Sequence, residues 1–324
     1  MRIESVLTKR SYEHWPSYDL VYEWEDVFKE QLDCLLKNEN SFLNNRFLKR
    51  LPILPCLIQT NQIAFKFEMF PKVKFRFDNK SNIIPCIIDY YLTDRYLSNF
   101  ISSYNRNKII CISSKEVFDY LLQKGVNLKL NLVHLPLSIS DKYKITEHTK
   151  FEKKYDLVLM GRQNPVLRKF LDIYIKKHED LYYVYREQKG NKFFYYTSQG
   201  EYLGDINTRE KYISLMKQAK CGLYATPGID GGEKRTNGFN QVTPRFLELL
   251  ARGCHVIARY QENSDTLFYD LKKFSVSVDN YETFERLLDH ARNNQVDMSV
   301  YSNYLSNHYT SKRVKALSNI IEVL

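Results

Sequence analysis

Between Asn237 and Tyr260 the chain reads NGFNQVTPRFLELLARGCHVIARY, a run with the residue types and spacing of an anion site. Thr243 followed by Pro244 is a helix start: a hydroxyl that can cap, then a residue whose missing N–H costs nothing at the first helical position. Phe246, Leu249, Leu250 and Gly253 fall at i, i+3, i+4 and i+7, one stripe for a core. Gly253 closes the helix, and Cys254 to Ala258 is short and apolar enough for a sheet interior. Glu248 stands off the stripe, one turn into the helix. A loop that feeds a helix N-terminus offers an anion free backbone N–H groups and the positive end of the helix dipole. The preceding loop, PGIDGGEKRTNGFNQ (227–241), is charged, and Gly228, Gly231, Gly232 and Gly238 let its backbone approach an anion closely. The unit is read as a holder of a nucleotide diphosphate.

Chemistry elsewhere is sparser. IIPCIID (83–89) is a buried strand ending in Asp89, a carboxylate suited to act as general base toward an acceptor hydroxyl. His134 sits within LNLVHLPLSI (130–139), read as a strand, where a core histidine is expected. The six cysteines, at 34, 56, 86, 111, 221 and 254, form no CxxC pair and no Cys/His ligand spacing. Reduced, buried thiols are expected rather than disulfides or zinc.

These residues need a scaffold, and the pattern supplies an alternating one. The first 60 residues are the hardest to read. Residues 19–37 have helical spacing, with Val27, Leu32, Leu35 and Leu36 as core positions, and SFLNNRFLKRL (41–51) interleaves Phe42, Phe47 and Leu48 with Arg46, Lys49 and Arg50. That basic amphipathic segment is either a core helix with a solvated face or a contact to an anionic membrane surface. From Asn61 onward strands are expected at 63–70 and 73–77 (a hairpin around Pro71), 83–89, 108–113 and 130–139. Helices are expected at 90–103 and 115–124, the second closed by Gly125. Residues 141–154 are polar, charged and without period, the best linker. A second alternation follows: strands at 155–161, 181–187, 221–227 and 274–279, and helices at 165–178, 208–220, 281–293 and in the last 25 residues. The expected fold class is α/β, two Rossmann-like doubly wound domains, 1–140 and 155–324, facing across a cleft, with the last helix packing back on the first domain. Ligands bind at the carboxyl ends of such sheets.

Composition narrows the classes. At 324 residues, 44% hydrophobic and 27% charged, the chain is globular rather than disordered. A net charge of +10 favours an anionic partner: nucleic acid, an acidic membrane surface or a phosphorylated substrate. MRIESVLTKRSYEHWP lacks the apolar run of a signal peptide and no stretch approaches a membrane span, so a cytoplasmic protein, peripheral on the membrane if 41–51 binds there, is expected.

Three segments, YDLVLMGR (155–162), REKYISLMKQAKCGLYATP (209–227) and TPRFLELLARGCHVIA (243–258), resemble the C-terminal domain of GT-B glycosyltransferases of the group 1 type, in particular the branch that is similar to spore-maturation proteins. IICISSKEVFDYLLQKGV…LVHLPLSI (109–139) is similar to the last βαβ unit of that fold's N-terminal domain. The resemblance implies a sugar transferred from a nucleotide-sugar donor to a hydroxyl of a glycan or lipid-linked acceptor, in cell-surface polysaccharide or glycoconjugate synthesis. It implies that Gly161 and Arg162, with Arg168 six positions on, bind the donor diphosphate. Guanidinium groups beside a strand end suit this, gripping phosphate oxygens bidentately. A solvated helix-face arginine is the alternative for Arg168. Glu248 matches the glutamate that accepts from the ribose hydroxyls; its alternative is an i, i+4 pair with Arg252. Asn240 stands where retaining members carry a second glutamate, so the two-glutamate mechanism does not carry over; Asn240, Gln241 and Thr243 can bond phosphate or sugar instead. Arg245, in the first helical turn, is a third phosphate ligand. No DxD, GxxxxGK[ST] or early GxGxxG occurs, which disfavours metal-dependent GT-A, P-loop and dinucleotide readings. The resulting expectation is a metal-independent transferase without a cofactor, Asp89 and Asn240 as its catalytic candidates. The rivals are a basic protein that stacks single-stranded nucleic acid on its aromatics, and an inactive GT-B subunit that binds glycan.

Overall fold

The computed structural model describes residues 2–14, 16–39, 62–73, 81–190 and 192–323. The segment 41–51, and with it the question of a membrane-binding face there, lies outside the described residues, as does most of 73–77. The chain divides into two compact units: Met1–Asp141 with Arg235–Phe239 and Thr310–Leu324, and Lys142–Lys234 with Asn240–Tyr309.

In the first unit β1 (Ile3–Thr8), β2 (Leu35–Asn38), β3 (Ile63–Glu68), β4 (Ile83–Ile87), β5 (Ile110–Ile112) and β6 (Leu132–His134) lie in the order β2-β1-β3-β4-β5-β6, parallel throughout. Its strands are apolar at consecutive positions because both faces are covered. Ile110 and Ile112 of β5 enter one core with Phe100, Val117 and Leu121, whereas Cys111 between them enters another with Trp24, Phe28 and Phe65. Helix Pro16–Leu32 brings Val21, Trp24 and Phe28 to that second core, and helix Thr310–Val323 brings Val314, Leu317 and Ile321. The Trp24 indole N–H is satisfied by the Ser138 carbonyl at 3.1 Å.

In the second unit β7 (Tyr155–Val158), β8 (Tyr183–Lys189), β9 (Lys192–Thr197), β10 (Tyr202–Asp205), β11 (Ala219–Ala225) and β12 (His255–Arg259) are ordered β10-β9-β8-β7-β11-β12. The four from β8 to β12 across β7 and β11 are parallel, while β9 and β10 extend the edge as antiparallel strands. The chain winds outward from β7 to β8 and later restarts on the other side at β11, so the sheet reverses direction of winding between β7 and β11. Such a switch point leaves a crevice outside the carboxyl ends of the two strands. Helix Arg245–Ala251 docks closely on β11 because Gly222 has no side chain: a Cβ there would sit 2.4 Å from Leu249 Cδ2.

Several elements differ from their sequence reading, each for a local reason. The first helix stops at Leu32, where Asp33 turns left-handed at φ 47°, and Leu35 and Leu36 belong to the edge strand β2, Leu35 being 62% exposed. The expected strands 130–139 and 155–161 shorten to Leu132–His134 and Tyr155–Val158. FSVSVD is no strand: it runs beside β12, but the Ser275 and Ser277 hydroxyls accept from the N–H groups of Ala258 and Tyr260, where ladder carbonyls would. The strand expected at 181–187 is β8, but β9 and β10, which extend it into an antiparallel ribbon, are not among the expected strands, although Tyr/Phe-rich runs flank Gly190 and Gly200, turn residues at positive φ.

A buried carboxylate in the first unit makes folding stability depend on pH. Glu25 lies beside Arg10 at 3.4 Å, and burial pushes its carboxyl from 4.5 up to about 7 despite the hydrogen bond from Thr8 and the charge of Arg10. A raised carboxyl stabilises the fold below pH 4.5 and loses that contribution as pH rises to 7; 2.5 pK units set a ceiling of about 3 kcal/mol. His134 opposes it: burial, then Lys115 and Arg313, lower it from 6.5 to about 4, so its contribution is lost as pH falls through the same window. The two slopes therefore oppose one another across this window. Glu25→Gln removes one of the opposed slopes, and its melting temperature relative to the parent should climb steadily over that range. A difference independent of pH would show that Glu25 titrates normally.

Candidate functional site at the carboxyl ends of β7 and β11

Beyond β7, Leu159 and Met160 remain buried and the chain turns at Gly161, φ 64°. It then enters helix Pro165–Lys177, whose first N–H groups are capped by Asn164: the side-chain oxygen accepts from Val166 at 2.9 Å and Leu167 at 3.1 Å. Across the switch point, β11 ends at Ala225 and helix Arg245–Ala251 begins. Arg245 crosses back to Gly161. A Cβ on Gly161 would lie 2.1 Å from Nη2 and 2.7 Å from Cζ of Arg245, so the guanidinium rests directly on the glycine backbone. Its Nη1 reaches the Arg162 carbonyl at 3.5 Å, and Tyr212 and Glu248 are the neighbours that favour its charge. Nε is buried without a partner. Burial works against the charge, but Tyr212 and Glu248 outweigh it and hold the pKa above the ordinary arginine value, leaving a permanent cation.

Glu248, a turn later, is buried at 3% exposure, and its Oε1 accepts from Arg209 at 2.5 Å. Arg252, its partner in the alternative reading, is engaged elsewhere, donating to the Tyr143 carbonyl at 3.1 Å with its guanidinium over the Tyr143 ring. Thr243 does not cap the helix. The cap position is Pro244, already helical at φ −57°, ψ −21°, and no side chain caps it; the Thr243 N–H instead donates to the Tyr224 hydroxyl at 3.0 Å. The helix starts at Arg245, one residue later than the sequence reading placed it, which leaves Thr243 one position too far back to cap it.

The two surface arginines have local partners. Arg162 pairs with Glu233 at 2.6 Å and Arg168 with Asp172 at 2.9 Å, the latter an i, i+4 pair on an exposed helix face. Asn240 and Gln241 are buried; the Asn240 side-chain oxygen accepts from the Thr226 hydroxyl at 3.3 Å, and its carbonyl from Asn263 at 3.2 Å. Asp89 belongs to the first unit, half-buried two residues beyond β4, its N–H on the Met69 carbonyl at 2.9 Å. The structure therefore gathers Gly161, Arg162, Arg245 and Glu248 around one end of one sheet, and it leaves Arg168 on the outer face of its helix.

The loop ahead of Asn240 is fastened in a way the sequence did not reveal. Asp230, at φ 54°, accepts from Arg259 Nε at 2.5 Å and Nη2 at 2.8 Å and from Asn164 at 2.8 Å. Arg259 and Asn164 hold the Asp230 carboxyl below the usual range. One carboxylate thus ties the loop to the end of β12 and to the cap of helix Pro165–Lys177. Residues Arg235–Phe239 belong to the first unit, where Phe239 packs edge-on to Tyr90 and Tyr120.

A cavity of about 810 Å³ opens at the opposite, amino-terminal end of the second unit's sheet, among Phe151, Gly253, His255 and Met298. Three of the cations that line it are engaged: Lys153 donates to the carbonyls of Ala219 and Arg252, and Lys220 and Arg292 both pair with Asp156. Convergent charge at a switch point is the better guide to chemistry than volume. Among the described residues no group of three or more His, Cys, Asp or Glu side chains is arranged to hold a metal, and no helix is long and apolar enough to cross a membrane. The described cysteines are free thiols.

Residues 176–319 match the glycosyl transferase-like family. No curated protein matches the chain. Among solved structures, AviGT4, a glycosyltransferase involved in avilamycin A biosynthesis, is similar at a TM-score of 0.53 and 10% identity over 98% of this chain and 96% of its own. An α,α-trehalose-phosphate synthase (UDP-forming) from Burkholderia vietnamiensis is similar at 0.50 and 10% identity, over 98% and 87%. The pneumococcal O-GlcNAc transferase GtfA gives 0.49 and 11% identity over 84% of this chain, which spans 59% of that longer protein. At such identities the likeness is one of fold. Residues 176–319 are thus similar to the glycosyl transferase-like family, and the two Rossmann-like units have the α/β architecture of the GT-B fold.

Proposed function

We propose that the protein transfers a sugar from a nucleotide-sugar donor to a hydroxyl acceptor, the second unit holding the donor and the first the acceptor. One observation carries the reading: a charged arginine, Arg245, lies against the backbone of Gly161 at the switch point with its Nε buried and unbonded. A fixed cation beside strand-end backbone is suited to a diphosphate, and it neutralises the leaving group without a metal ion. Glu248, one turn away, supplies a carboxylate for ribose hydroxyls. Arg162 adds charge once it exchanges Glu233 for phosphate, while Gln241 and Thr243 serve the donor sugar side. Asp89 is the candidate base toward a glycan or lipid-linked acceptor, and cell-surface polysaccharide or glycoconjugate synthesis is the setting this implies, with residues 41–51 as a contact to the inner face of the membrane.

Asn240 favours a second reading. An amide hydrogen-bonded to Thr226 replaces a carboxylate that could take part in retention, as a subunit that binds donor without transferring would have it. Calorimetric titration with UDP-, GDP- and dTDP-sugars, followed by product analysis with glycan acceptors, separates the readings. Donor binding at micromolar Kd that weakens about tenfold or more in Glu248→Ala is expected. Binding without transfer supports the second reading, and no binding of any nucleotide sugar refutes both.

A further inference from the structure

We propose that Arg209 is a positioning residue for the donor: it fixes one oxygen of the Glu248 carboxylate and so presents the other to a ligand hydroxyl. The inference rests on the donor-site reading above and adds a residue and a selectivity to it.

Arg209 is the first residue of helix Arg209–Lys217, which Thr208 caps by accepting the Lys211 N–H at 3.3 Å. Ile213, Leu215 and Met216 bury one side of that helix, so Arg209 starts from a fixed backbone. Its guanidinium lies 5.7 Å from the centre of the Tyr143 ring and 5.7 Å from that of Tyr212, and its Nη2 meets Glu248 Oε1 at 2.5 Å. The two side chains are only 13% and 4% exposed. Burying an ion pair so far costs desolvation that mutual attraction only roughly offsets, so stability alone gives weak reason for it. What the pair does provide is orientation.

The carboxylate is held asymmetrically. Oε1 is taken by Arg209, whereas Oε2 has no hydrogen-bond partner among the described residues and is not sealed from solvent. A buried, already neutralised carboxylate oxygen suits a neutral hydroxyl donor better than a second cation. Next to Arg245, which faces the diphosphate in the proposed site, the group that fits is a sugar hydroxyl of the nucleotide. Arg209 then acts through Glu248, and the selectivity it confers is for ribose over deoxyribose.

The test compares UDP and GDP with their 2′-deoxy and 3′-deoxy counterparts by calorimetry, in the unaltered protein and in Arg209→Ala and Arg209→Lys. The unaltered protein should prefer ribo over at least one deoxy form by about tenfold or more, as expected for a hydrogen bond to a charged group. Arg209→Ala should shrink that ratio to within about twofold of unity, mainly by weakening the ribonucleotide, and Arg209→Lys should restore part of it. If Arg209→Ala fails to fold, the lysine variant, which keeps the charge but loses the fixed fork, carries the test through the same ratio. Nucleotide binding with an unchanged ratio in the folded variants overturns the role of Arg209 and leaves the donor site standing. Absence of nucleotide binding in the unaltered protein overturns the donor site itself.

Discussion

Gly161→Ala is expected to weaken donor binding by about 30- to 100-fold while leaving the protein folded. Two effects combine. At φ 64° an alanine pays roughly 1 kcal/mol of backbone strain. Its Cβ would also lie 2.1 Å from Arg245 Nη2, a distance no pair of atoms tolerates, so the guanidinium must leave. Because the clash is with the far end of a flexible side chain and not with backbone, the fold yields locally and the melting temperature should fall by only a few degrees, about what 1 kcal/mol shifts in a domain of this size. Donor affinity has no such escape, since charge-assisted bonds contribute about 1.5–3 kcal/mol each.

A double-mutant cycle isolates the mechanism. In an Arg245→Ala background there is no guanidinium to displace, and Gly161→Ala should then cost only its backbone strain. Strongly non-additive losses of donor affinity are the expected result. Additive losses would mean that the glycine serves the ligand directly, by letting phosphate approach the backbone, and not through Arg245.

How much of this was legible in the sequence follows from how local each signal is. The helix Arg245–Ala251 and strand His255–Arg259 were readable because their apolar periods are set by near neighbours, and the α/β alternation followed. The strands β9 and β10 were not legible, since their charged and aromatic residues blur the period-two pattern that Gly190 and Gly200 punctuate. Positions came through better than pairings. Arg245 and Glu248 could be singled out from helix geometry, but Arg209 is 39 residues from Glu248 and Asp230 is 29 from Arg259. No local pattern announces such partners. The same limit explains Arg162 and Arg168: the resemblance implied that both are phosphate ligands, with a solvated helix face as the alternative for Arg168, and only the neighbours Glu233 and Asp172 tell them apart from Arg245.

That difference sets an order among the cations. Arg245→Ala should weaken donor binding by about 100-fold, since it removes a fixed, desolvated charge whose Nε is buried and unbonded in the free protein. Arg168→Ala should change it by less than about threefold, because an exposed i, i+4 pair with Asp172 is worth well under 1 kcal/mol and leaves its charge on the outer helix face. Arg162→Ala should fall between, as its guanidinium must first give up Glu233. Calorimetry on the three variants with UDP and GDP measures the order directly, and equal losses at all three would show that diffuse positive potential, not a built site, attracts the nucleotide. Turnover adds an independent reading. A cation that meets charge developing on the leaving diphosphate stabilises the transition state more than the ground state, so Arg245→Ala should lower kcat as well as affinity, whereas Arg168→Ala should leave kcat unchanged.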